Sequence, residues 1–162
     1  MRRFAIILLA SLTVFVIPHH ASAFAEQAFK TKYATILYEN EQEMSDFIWR
    51  LGGQRLDPVS ETELTSHRVD RIIERVKAIL DMRPHHFTVS IKLTGTLPAA
   101  QRIAYYDIKT KMILIAVPYA SDGVVAHEMA HAVICQYFDE PPPSKIQEIL
   151  TQYVDRSLWS DY

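Results

Sequence analysis

The chain of 162 residues has a single cysteine, Cys135, so no internal disulfide can brace its fold. It has no block of like charge, which argues against nucleic acid and against an anionic membrane surface as partners. It has no internal repeat and no low-complexity segment, and its only proline cluster is Pro141-Pro142-Pro143. The longest apolar run, Phe4 to Ile17, falls short of the roughly 20 residues that a membrane span needs. What remains is a chain that must rely on a packed core or on a bound metal.

The first residues have a pattern of their own. Met1-Arg2-Arg3 is basic, the apolar run follows, and Ala21-Ser22-Ala23 has the small-x-small form of a cleavage site. This is the three-part layout of a secretory signal peptide. Residues 1–23 are therefore expected to be a signal peptide, and residues 24–162 one domain, exported to a bacterial periplasm or secreted. No cysteine lies near the cleavage site, so a lipid-anchored start is not expected. The whole chain carries 17 Lys+Arg against 19 Asp+Glu, and losing Arg2 and Arg3 makes the mature part more acidic. No stable membrane insertion is expected after cleavage.

Periodicity then gives the elements. Lys32 to Tyr38 is rich in aromatic and β-branched residues and predicts a strand. Asn40 can cap a helix that stops at Gly52-Gly53, and Ser60 with Glu63 forms a capping box that opens a long second helix, ended by Pro84. Phe87 to Leu93 alternates with the period of a half-buried strand. Ile103–Tyr106 and Met112–Val117 predict a hairpin. Ser121 or Asp122 can cap a helix that ends near Pro141, and a last helix runs from about Ser144 to Leu158. The order β, α, α, β, β, β, α, α is an α+β layout with one small sheet.

Chemistry concentrates in His127-Glu128-Met129-Ala130-His131, the pattern H-E-x-x-H. Residues four apart on a helix share a face, so both imidazoles can converge on one ion. The glutamate stands about 100° round the helix from the first histidine. It is badly placed to ligate but well placed to take a proton from water. Catalytic zinc has three protein ligands and one open position, and lowers the pKa of its water to about 7. The third ligand must come from elsewhere, and Glu140, Glu148 and Asp155 are candidates. Glu148 stands among Ile146, Ile149 and Leu150, a poor place for an unpaired carboxylate.

Ala126 to Ala132, the tract to Pro143, and Gln147-Glu148-Ile149-Leu150-Thr151-Gln152-Tyr153-Val154 together resemble the gluzincin metallopeptidases of the peptidase MA-like family. There H-E-x-x-H is followed by a helix typically reading E-G-L-A-E-Y-V. Glu148 falls on the glutamate ligand and Tyr153-Val154 on the Tyr-Val pair. Ile149 replaces the usual glycine and Gln152 the usual second glutamate. The resemblance implies a zincin-like fold, with His127, His131 and Glu148 as zinc ligands and Glu128 as the catalytic base. It also implies that the first hairpin strand is a sheet edge beside the metal, where an extended peptide adds as a strand.

The expectation is thus a zinc-dependent metallopeptidase that hydrolyses a peptide or protein substrate through a Glu128-activated, zinc-bound water. A catalytically inactive, metal-stabilised peptide-binding module is the alternative. Cys135, four residues after His131, is either a fourth ligand that closes the site or a small core residue. Tyr105, Tyr106, Tyr119 and Tyr153 are candidate oxyanion donors. Gln152 shares a helix face with Glu148 and is expected to accept the outer N–H of a ligand histidine. His67 is expected on a helix surface, and His85-His86 in a loop.

Overall fold

The computed structural model describes residues 26–52, 58–97, 102–158 and 160. The signal segment expected at residues 1–23 lies outside them. Ten elements follow in chain order: β1 (Gln27–Lys30), β2 (Ala34–Tyr38), α1 (Glu41–Arg50), α2 (Pro58–Leu80), β3 (Val89–Thr94), β4 (Ala104–Asp107), β5 (Met112–Ala116), a short 3-10 turn (Val117–Tyr119), α3 (Asp122–Tyr137) and α4 (Ser144–Ser157). The layout is α+β, with four helices and one mixed sheet of five strands in the order β1-β2-β3-β5-β4. Among the described residues no helix is long and apolar enough to cross a membrane.

β2, β3 and β5 run parallel, while β1 and β4 pair antiparallel as the two outer strands. The register aligns Ile36, Ile91 and Ile113 across the three central strands, and all three are fully buried. Along β3 burial alternates residue by residue, as the sequence period requires of a sheet with one covered face. Phe47 and Leu51 of the α1 region, Val69, Ile73 and Val76 of α2, and Met129 and Val133 of α3 complete the same core.

Two details hold α3 in place. The Ser121 side chain accepts from the Val124 N–H at 3.2 Å, so Ser121 rather than Asp122 is the cap. Asp122, in the first turn, takes both a 3.3 Å and a 2.8 Å hydrogen bond from the Arg68 guanidinium of α2. A carboxylate at a helix start is favourable in itself, and the two-pronged arginine adds direction.

Several boundaries differ from those expected. β1 was not foreseen, because Gln27-Ala28-Phe29-Lys30 has no β-branched residue. Its turn into β2 is held instead by Asp70 of α2, which accepts from Thr31 Oγ1 at 2.7 Å and from the backbone N–H groups of Lys32 and Tyr33. α2 starts at Pro58 instead of after Ser60, which therefore stands within the helix. It also ends at Leu80, ahead of Pro84, because Asp81 turns the chain into the left-handed region (φ 51°).

Candidate metal centre

α3 is buried on nearly every side. Away from its two ends, only one stripe is less than fully buried, made by Val124, His127, His131 and Cys135. Those positions step by three and four, so they form a single helix face. α4 packs against α3, and its buried positions are Thr151 and Val154. At about 100° per residue, Glu148 and Asp155 stand together at the edge of this packed face of α4.

The consequence is convergence. Nε2 of His131 lies 3.4 Å from one Glu148 oxygen, and Nε2 of His127 lies 3.8 Å from the other. One ligand atom from each of the three residues falls within 4.8 Å of the others. Tetrahedral zinc with bonds of about 2.0–2.1 Å separates its ligand atoms by about 3.4 Å, so the donor set has the right chemistry and nearly the right spacing.

The outer nitrogens support the same orientation. His127 Nδ1 is 3.0 Å from the Asp155 carboxylate, which can only accept. A proton on Nδ1 satisfies that contact, and Nε2 is the nitrogen turned toward Glu148. His131 Nδ1 is 3.2 Å from Gln147 Oε1. That amide is held the right way round because its Nε2 donates to the Pro142 carbonyl at 2.8 Å. Ligand histidines usually hand their second N–H to a carboxylate or carbonyl in this manner. Burial pushes the His131 pKa below the usual imidazole range, against the raising effects of Gln147 and Glu148. The favoured form is the neutral one, which is the form that ligates.

Glu128 takes no part in this triad. It points under β4, is 9 % exposed, and lines the same cavity as His127, His131 and Glu148. Burial raises its pKa above the usual carboxylate range, while the His127 imidazole and a backbone hydrogen bond from Tyr106 pull the other way. The cavity is about 400 Å³, walled on its far side by Arg102, Tyr105 and Tyr106. β4 is thus an outer strand alongside the triad.

Several sequence expectations are revised here. Gln152 does not meet a histidine. It is exposed, about 40° round α4 from Glu148 and away from α3, and its expected role falls to Gln147 and Asp155. Asp155, weighed as a ligand, instead orients His127. Glu140 is exposed in the α3–α4 connection and outside the converging group. Cys135 is also outside it. Its thiol donates to Gln147 Oε1 at 3.4 Å, and burial keeps it protonated by raising its pKa. Glu148 is itself about half exposed, as are its neighbours Ile146 and Ile149. Its position on the helix, not an apolar setting, brings it to the histidines.

Tyr119 and Tyr153 are 60 % and 55 % exposed and do not line the cavity, whereas Tyr105 and Tyr106 do. The Tyr106 hydroxyl is buried with no hydrogen-bond partner among the described residues. Its pKa is pushed up to about 12 by burial, only partly offset by Gln136, whose amide is committed to the Thr88 carbonyl. Comparison with family models, with curated proteins and with solved structures finds no match.

Proposed function

We propose that the chain is an exported zinc-dependent peptidase of zincin-like fold, resembling the peptidase MA-like gluzincins. His127, His131 and Glu148 would hold the metal and Glu128 would serve as the base. The observation that carries this reading is the pairing of two oppositely organised sets in one cavity. Three ligand atoms converge with their outer hydrogen bonds satisfied, and a fourth acidic group stands beside them, excluded from that convergence and buried. A site serving stability alone has no use for the second set.

Bound there, zinc would supply Lewis acidity, lowering the pKa of water toward about 7 and polarising a carbonyl. The chain's own residues account for the rest. Asp155 and Gln147 fix the imidazole orientation, so the lone pairs need no rearrangement. The Glu128 carboxylate accepts a proton from the attacking water as its oxygen adds to the peptide carbonyl carbon. It returns that proton to the amine nitrogen as the C–N bond breaks. A carboxylate with a raised pKa suits both halves of this exchange near neutral pH. The free edge of β4 offers backbone groups to an extended peptide.

The test is cleavage of a peptide library by the zinc-loaded protein, with Glu128→Gln in parallel. Loss of hydrolysis with zinc retained is the expected result. Cleavage by the variant at the wild-type rate would remove Glu128 from the base role. Zinc binding without any cleavage would favour a peptide-binding module.

A further inference from the structure

A second cavity, of about 680 Å³, adjoins the metal centre, and Cys135 lines both. Its character is different. Arg83, His85, His86 and Lys111 line it, with Asp139 the one acidic residue in its wall. Arg83 and the two histidines come from the segment between α2 and β3, and Lys111 from the turn between β4 and β5. The Gln136 amide, which donates to the Thr88 carbonyl at 3.0 Å, ties the end of α3 to this region. The chain as a whole carries a net charge of −2, so a local excess of positive charge runs against its overall balance.

Neither Arg83 nor Lys111 has an ion-pair partner among the described residues. By contrast, Arg68 is paired with Asp122, Lys32 with Glu74 and Lys92 with Glu26. Lys111 is also unusual in its backbone. It adopts φ 53°, in the left-handed region that glycine or asparagine fills most readily. A lysine there is strained relative to glycine. The side chain is exposed, and the Lys111 carbonyl accepts from the Ser90 N–H at 3.1 Å, which holds the turn beside β3.

The geometry points to an acidic subsite. We propose that this second cavity receives a carboxylate side chain of the peptide whose backbone lies along β4, so that the substrates are acidic peptides. This rests on the peptidase reading above. Cys135 follows His131 on the same helix face and lines both cavities, so a chain leaving the metal centre past Cys135 enters the basic cavity. Cys135 is one helical turn beyond His131, about 6 Å, and the cavity opens past it. At about 3.3 Å per extended residue, the acidic side chain sits two to three residues from the bond that is cut. Arg83 and Lys111 supply the fixed positive charge, and His85 and His86 add N–H donors.

The experiment uses the full zinc-loaded chain and a neutral octapeptide series, with one glutamate or one glutamine placed at each position in turn. Cleavage should favour glutamate over glutamine by roughly tenfold at a position two or three residues from the cut. The preference should fall as salt rises. Arg83→Gln combined with Lys111→Gly should bring the ratio toward one. The glycine relieves the left-handed backbone, so an unchanged or higher melting temperature guards against misfolding as the explanation. Equal cleavage of the two peptides, or a preference that survives in the double variant, overturns the subsite while leaving hydrolysis intact. If nothing is cut, fluorescence anisotropy of the same labelled peptides still decides. A glutamate preference lost in the double variant supports the subsite although the peptidase reading falls, and no preference overturns both.

Discussion

α3 and α4 face each other across the candidate metal centre, but they are held there by different means. α3 is embedded. Eight of its residues are buried, its N-terminus is capped by Ser121 and clamped by Arg68, and its histidines occupy a partly open stripe between its two ends. α4 packs through a narrow face, with Thr151 and Val154 its only buried residues, while Ile146, Ile149 and Tyr153 lie exposed on the other side. Its start has no side-chain cap. The histidine pair is therefore positioned by folding itself, and Glu148 by an element with far less packing. A metal would connect the rigid helix to the adjustable one, and much of its binding energy would appear as ordering of α4.

That contrast can be broken directly. His131→Ala removes a ligand from the rigid side, and zinc affinity should fall by three orders of magnitude or more, to background in a competitive titration. Glu148→Ala removes the ligand on the adjustable side. Its loss should be smaller, roughly a hundredfold, because water can take the vacated position. Equal losses would contradict the asymmetry. Asp155→Ala and Gln147→Ala should each weaken zinc by about 10- to 100-fold through the histidine they orient. Gln152→Ala should match wild type, and a comparable loss there would mean that the face of α4 is misassigned.

Hydrogen exchange sharpens the comparison. With free zinc at about ten times its Kd, amides of α4 should exchange about tenfold more slowly, whereas the buried core of α3 changes less. Uniform slowing of both helices would mean that α4 is as firmly held as α3 without metal.

The smallest effect concerns Glu128. Its folded pKa is raised by burial, so ionisation is harder in the folded state than in the unfolded one. A raised pKa adds stability below the unfolded value, which is lost as pH rises through the folded pKa. At neutral pH the metal-free protein therefore carries a cost that Glu128→Gln removes. The variant should melt slightly higher at pH 7, with the difference fading below about pH 4.5. A variant that melts lower at pH 7 would contradict the burial of an ionisable group there.

Much of this was legible in the sequence wherever one helix or one strand carries the pattern. The alternation in β3, the Asn40 cap and the H-E-x-x-H face are local, and each appears as expected. What was missed depends on contacts made far along the chain. β1 has no strand-like composition and is held by Asp70, about forty positions away. The partners of the histidines are set by how α4 rotates against α3. A four-residue step from Glu148 suggested Gln152, but the packed face runs through Thr151 and Val154, which brings Asp155 to His127 instead. His85 and His86 look like an ordinary turn until the fold brings Arg83 and Lys111 beside them.

The central claim is that two helices hold one ion through His127, His131 and Glu148. Its most direct test is elemental analysis of the full chain refolded with zinc and freed of excess metal. One zinc per chain, absent from His131→Ala treated identically, is the expected result. Protein that refolds to the same melting temperature but retains no zinc would contradict the claim.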